Sequence, residues 1–199
     1  MTRTQGLSLL AIVTLLIAGA TVLYLRYKMS APVPLTGSGS WPPKNFNRVI
    51  GYYFCIPEPE FSIIQESGID MTTLRRTDVI SKELNSDQIK KLINAALYYP
   101  KTASPAACYS PHHIFLFFDR NNKISNAIEV CFGCTTASAL PPLDESFWRH
   151  QDFRALARLC DELGIWDNKG LSVKKYIQLR DENDSLLENN GEQDAAANP

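Results

Sequence analysis

The sequence predicts an α+β fold: a small antiparallel sheet with a central β-hairpin, packed by two or three helices and preceded by one N-terminal transmembrane helix. Three observations support this prediction. Residues 6–25 form an apolar run of twenty residues without a charge. Two amphipathic helical patterns follow, over 85–97 and 153–163. Between them, two strand-like runs flank a turn sequence at 119–123.

The apolar run is the first predicted element. As a helix, twenty residues span about 30 Å, which matches the hydrocarbon core of a bilayer. The run is closed by aromatic and basic residues typical of a membrane interface, namely Tyr24, Arg26, Tyr27 and Lys28. The rival interpretation is a cleaved secretory signal, because residues 18–20 are Ala-Gly-Ala, but the apolar run continues past that site. We therefore predict a membrane anchor over 1–28, with the membrane contacted through residues 6–25.

Composition divides the rest of the chain into three parts. Residues 29–46 are rich in proline, glycine and serine, as in a flexible linker. Residues 47–180 carry the apolar periodicity of one globular α+β domain, whereas residues 181–199 have the composition of a disordered acidic tail. The basic charges flanking the anchor balance, so the prediction follows the usual arrangement of an uncleaved signal anchor. This arrangement puts the domain on the extracytoplasmic, periplasmic side of the membrane.

The domain begins with a predicted strand and a predicted helix. Residues 47–55 are β-branched and aromatic, which favours a strand. A helix is expected from Asn85, because Asn85 is a good N-cap and Gln88 completes a capping box. Its predicted apolar face consists of Ile89, Leu92, Ile93, Ala96 and Leu97.

The hairpin and a second helix follow. Residues 114–118 are apolar on both faces, which is typical of a central strand, and residues 124–131 return after the turn. Asp144 is the predicted cap of the second helix. Its predicted buried stripe consists of Phe153, Leu156, Ala157, Cys160 and Leu163. Residues 172–179 fit either a helix or a final strand.

Charge and cysteine content limit the functional classes. The net charge is −1 and no basic block occurs, so the positive surface that a phosphate backbone requires is missing and nucleic acid is not an expected partner. The five cysteines exceed what a cytosolic chain needs, and their odd number leaves at least one unpaired. They are Cys55, Cys108, Cys131, Cys134 and Cys160.

Cysteines lie at both ends of the predicted hairpin, and two histidines lie beside the first of them. The candidate site residues are Cys108, His112 and His113 before the first strand, and Cys131 and Cys134 after the second. If Phe118 pairs with Ile124 across the turn, the register is set for the whole hairpin. That register gives two further pairs, Cys134 with Cys108 and Glu129 with His113. We therefore expect the cluster to converge at the open end of the hairpin.

Three interpretations of this cluster stay open. In the first, Cys108, His112 or His113, Cys131 and Cys134 bind zinc as a Cys₃His tetrahedron. In the second, a Cys108–Cys134 disulfide staples the hairpin base in an oxidising compartment. In the third, Cys131 and Cys134 form a redox-active C-x-x-C motif, although the sequence after it is too short for the helix whose N-terminus activates such thiols.

The same residues carry a resemblance. The chain resembles a set of uncharacterised bacterial envelope proteins in which a Cys-Tyr-x-Pro-x-His segment, a hydrophobic hairpin ending in Asp and a Cys-Phe-x-Cys segment follow one another. The matching residues are Cys108, Tyr109, Pro111, His113, Asp119, Cys131, Phe132 and Cys134. The resemblance covers residues 84–165. It favours His113 over His112 and implies a bacterial envelope setting without supplying a reaction.

These features predict a noncatalytic module. No Ser-His-Asp arrangement, phosphate-binding glycine loop or paired-carboxylate motif stands out in the sequence. We expect an extracytoplasmic binding or structural module whose partner is an unknown protein or small molecule. The alternative is a metal-handling or thiol-redox enzyme using Cys108, His113, Cys131 and Cys134.

Overall fold

The structure, a computed structural model, describes most of the domain and a helix near the N-terminus. The described residues are 13–24, 41, 43–55, 62–66, 68–97, 109–142, 151–166 and 171–196, with side chains described up to residue 185. Cys108 and Asp144 lie outside these ranges.

In the part of the chain that the structure describes, seven strands form two antiparallel sheets. Their bounds are β1 Arg48–Tyr53, β2 Ile64–Gln65, β3 Gly68–Ile69, β4 Ile80–Glu83, β5 His113–Phe118, β6 Ile124–Cys131 and β7 Thr136–Leu140. The main sheet has the order β4-β1-β5-β6-β7, and β2 pairs with β3 in a small second sheet. All six residues of β5 are buried, as the apolar sequence on both faces predicts for a central strand.

The described residues also include five helices. They are α1 over residues 13–24, α2 Met71–Leu74, α3 Ser86–Leu97, α4 Phe153–Glu162 and α5 Val173–Ala196. The predicted α+β class, with an antiparallel sheet and a central hairpin, is confirmed. Among the described residues, no helix combines the length and the hydropathy needed to cross a membrane.

The main sheet has a core on each face. On one face, which we call the helix face, the sheet packs against α3, α4 and α5 through residues such as Phe115, Ile128 and Leu156. The opposite face, the strap face, is covered by residues between β1 and β4, including Ile63 and Ile69. Both faces of the central strands are therefore removed from water, and this burial is the main stabilising contribution.

Local signals define the two central helices as predicted. Asn85 Oδ1 accepts from Gln88 N at 3.0 Å, and Gln88 Oε1 accepts from Asn85 N at 3.0 Å, so the capping box of α3 is confirmed. The predicted stripe of α4 is also confirmed, since Phe153, Leu156, Ala157, Cys160 and Leu163 are all buried. The N-cap of α4 is Asp152, whose carboxylate accepts from Ala155 N at 2.9 Å, rather than Asp144.

The hairpin register is correct at its turn and wrong beyond it. Phe118 pairs with Ile124 as predicted, but a bulge at the next position shifts every later pair by one residue. His113 therefore lies opposite Val130 rather than Glu129. Because side chains alternate along a strand, this shift puts Glu129 on the strap face and His113 on the helix face.

The C-terminal part of the chain differs from the predicted tail. Residues 173–179 lie in α5, which continues as a helix to Ala196, whereas the composition predicts disorder from residue 181. Arg154 of α4 stabilises the first helical turn of α5 beyond residue 180, because it donates to Asp181 at 2.7 Å and to Asp184 at 2.6 Å. Composition alone does not reveal such ion pairs with a neighbouring helix.

Candidate functional site

The C-x-x-C segment forms a tight turn with a disulfide bond. β6 ends at Cys131, residues 132–135 turn, and β7 begins at Thr136. Cys131 and Cys134 are bonded, with their Cα atoms 5.4 Å apart. Their exposed fractions are only 1% and 2%. The two cysteines thus close the β6–β7 hairpin, and solvent hardly reaches either sulfur.

This turn lies against the segment that precedes β5. Ser110 N donates toward Cys134 Sγ at 3.4 Å, and Ser110 O is 3.3 Å from Cys131 Sγ. A disulfide sulfur carries no hydrogen, so the second distance is a packing contact. The expected approach of the two ends of the hairpin is confirmed at Ser110. Cys108, two residues earlier, lies outside the described residues.

The structure pairs Cys134 differently from the Cys108–Cys134 disulfide interpretation. The predicted register carried β6 straight through to Cys134, but the chain turns after Cys131 and brings Cys131 itself within bonding distance. In this disulfide-bonded form neither sulfur is a thiolate, so neither cysteine is a metal ligand. In the described ranges, no group of three or more His, Cys, Asp or Glu side chains is placed to hold a metal. A zinc site that includes Cys108 stays a prediction.

His113 is packed in an aromatic cluster on the helix face. Its ring lies 5.0 Å from Phe132, 5.4 Å from Tyr53 and 6.0 Å from Trp166, measured between ring centroids. Its Nε2 atom is 2.9 Å from the carbonyl oxygen of Ile165. Because a carbonyl only accepts, Nε2 carries a hydrogen in this contact. His113 is 3% exposed, whereas His112 is half-buried.

Glu129 is the polar residue that the sequence analysis did not assign to a site. Its carboxylate is completely buried on the strap face. Ser62 Oγ lies 2.6 Å from Oε2, Ile63 N donates to Oε1 at 2.8 Å, and the Tyr109 hydroxyl donates to Oε2 at 3.1 Å. A single acidic residue within the apolar run of β6 was the available signal. The error in register assigned it the wrong face and hence the wrong neighbours.

Burial sets the protonation chemistry around Glu129. Loss of hydration raises the pKa of Glu129 from 4.5 to about 7, even though the hydrogen bonds that Ser62, Ile63 and Tyr109 can donate to the ionised carboxylate lower it. Burial also raises the pKa of Tyr109 well above its ordinary value, and the nearby Glu129 carboxylate contributes in the same direction. The Tyr109 phenol therefore remains protonated as a donor at neutral pH.

The two free cysteines among the described residues are Cys55 and Cys160. Cys160 is fully buried in α4, and desolvation raises the pKa of its thiol far above the ordinary value, which makes it unreactive. Cys55 is half-buried just after β1.

Comparison with known proteins adds no assignment, since no family model, no curated protein and no solved structure matches the chain.

Proposed function

We propose that the chain is a membrane-anchored binding or structural module on the extracytoplasmic side of a bacterial envelope. The observation that carries this proposal is the buried Cys131–Cys134 disulfide. Disulfides persist in oxidising compartments such as the periplasm and are rare in the cytosol. The apolar residues of α1 support the anchor, because Leu15, Leu16 and Leu23 are exposed and lipid is the solvent that suits them.

A structural role for the disulfide accounts for its surroundings better than catalysis does. In thiol-redox enzymes the nucleophilic cysteine is accessible, and a helix N-terminus lowers its pKa. Here both sulfurs are buried and the motif connects two strands. The bond fixes the turn against Ser110 and so joins the β6–β7 turn to the segment before β5. The domain is therefore proposed to act by binding an unknown protein or small molecule.

Topology and thiol state test this proposal together. A compartment-specific reporter fused to the C-terminus of the full chain should be active only outside the cytoplasm. Alkylation of the denatured protein without reductant should label Cys55 and Cys160, while Cys131 and Cys134 should be labelled only after reduction. Cytoplasmic reporter activity, or stoichiometric zinc with both cysteines alkylated without reductant, would contradict the proposal.

Replacing Cys134 with alanine should lower the free energy of unfolding by about 2 kcal/mol, the chain-entropy value for so short a disulfide loop. Cys55→Ala, which removes a half-buried thiol with no bond, is the matched control and should cost less than about 1 kcal/mol. Urea unfolding of the full chain in detergent micelles measures both values. Equal losses would show that the Cys131–Cys134 bond contributes nothing beyond packing.

A further inference from the structure

Glu129 connects three separate parts of the chain on the strap face. We define the strap as residues 62–66, which contain β2, and the lead segment as residues 109–112, which run into β5. Ser62 and Ile63 hold the carboxyl from the strap, and Tyr109 holds it from the lead segment. One buried side chain of β6 thus fastens both segments to the sheet.

Among the described residues, the groups that face this carboxyl include no cation. The strap contributes the Ser62 hydroxyl and the backbone N–H groups of Ile63 and Ile64. Ile114 of β5 and Ser138 of β7 are its partners in the sheet register. From the lead segment comes Tyr109, the one titratable side chain among these neighbours. Within the described part of the chain, no basic residue contributes to stabilising the ionised carboxylate.

The hydrogen bonds of Ser62 favour a proton on Glu129. Ser62 Oγ is 2.9 Å from the Ile64 carbonyl oxygen and 2.6 Å from Glu129 Oε2. Ser62 has one hydroxyl hydrogen, and the Ile64 carbonyl can only accept. Both short contacts are satisfied together when Glu129 carries a hydrogen and donates to Ser62, which then donates to Ile64. With Glu129 ionised, one of the two contacts has no hydrogen.

We propose that Glu129 is a proton-controlled latch that holds the strap and Tyr109 on the sheet when protonated and loosens them when ionised. An ionised carboxylate in this site is desolvated and meets no counter-charge from the described residues, and opening of the strap restores its hydration. This inference does not depend on the compartment or on the partner of the module.

The direction of the pH effect follows from linkage. The closed form has a pKa of about 7, and an opened, hydrated carboxyl has the ordinary value of 4.5. The closed form therefore binds the proton more tightly. Its free-energy advantage over the open form is complete below pH 4.5 and declines as the pH rises to about 7. The opening equilibrium constant should rise by more than tenfold between pH 5 and pH 8, with a limit of roughly 300-fold.

Hydrogen exchange at the strap amides tests the latch. The full chain in detergent micelles is exchanged at pH 5 and pH 8, and protection factors are used because they correct for the intrinsic pH dependence of exchange. Protection of residues 62–66 should fall more than tenfold at pH 8. Because the opening is local, the strap amides should exchange faster than the amides of the central strand β5 at both pH values. No fall in strap protection at pH 8, or strap protection equal to that of β5, would overturn the proposal.

Two variants separate a latch from a passive contact. Glu129→Gln keeps the shape and the protonated-like hydrogen bonding, so strap protection should become independent of pH. Tyr109→Phe removes a donor to the ionised carboxylate and should move the midpoint of the wild-type transition to higher pH. A pH profile in Glu129→Gln equal to that of the wild type would overturn the latch. If that variant fails to fold, carboxyl ¹³C shifts of the wild type decide, and a Glu129 midpoint below pH 5 overturns it.

Discussion

His113→Ala is expected to lower the free energy of unfolding by about 3 kcal/mol. The change removes a ring that packs against Tyr53, Phe132 and Trp166. It also leaves the buried carbonyl oxygen of Ile165 without its hydrogen bond at 2.9 Å. The loss of packing and the unsatisfied carbonyl act in the same direction. Urea unfolding of the full chain in detergent micelles provides the measurement.

The neighbouring histidine is the control. His112 is half-buried, so His112→Ala should cost less than about 1 kcal/mol. Comparable losses at the two positions would mean that the aromatic cluster does not depend on the His113 ring. A stability loss in His113→Ala that appears only in the presence of zinc would instead favour the metal interpretation over the structural role argued above.

The elements that sequence analysis predicted well are those whose signals are local. The capping box of α3 lies within four residues of sequence, and the stripe of α4 repeats with the helical period. The apolar run of β5 needs no partner to indicate a central strand. In each case the residues that define the element lie next to one another in the chain, so their types and spacing are sufficient evidence.

The candidate site depends on features that are not local. A bulge next to the hairpin turn shifts the later register by one residue, and no residue type there announces it. The sequence prediction lacks the turn at 132–135 and strand β7, because it continues β6 straight into the C-x-x-C segment. These two errors together changed the partner of Cys134 and the face of Glu129. The sequence therefore predicts the types of these elements, but not which residues lie opposite one another across neighbouring strands.

Gly51→Val is expected to lower the free energy of unfolding by about 3 kcal/mol. A Cβ at residue 51 would lie 2.8 Å from Cε1 of Phe115 and 3.0 Å from Cδ1 of Ile165, and both side chains are completely buried. A β-branched residue within a strand normally gains stability over glycine, by roughly 0.5–1 kcal/mol. The clash is the larger effect, because the Phe115 ring lies in a closed core and cannot move into solvent.

Gly133→Ala is the matched control for this substitution, since a Cβ there meets nothing within 4 Å. Its free energy of unfolding should stay within about 0.5 kcal/mol of the parent chain. In Gly51→Val, displacement of Ile165 by the added side chain should also lengthen the hydrogen bond between Ile165 and His113. The double variant Gly51→Val, His113→Ala should therefore lose less free energy of unfolding than the sum of the two single losses. Additive losses would show that the glycine contact and the buried imidazole are independent, whereas a sub-additive result ties the packing of β1 to the aromatic cluster beside the disulfide turn.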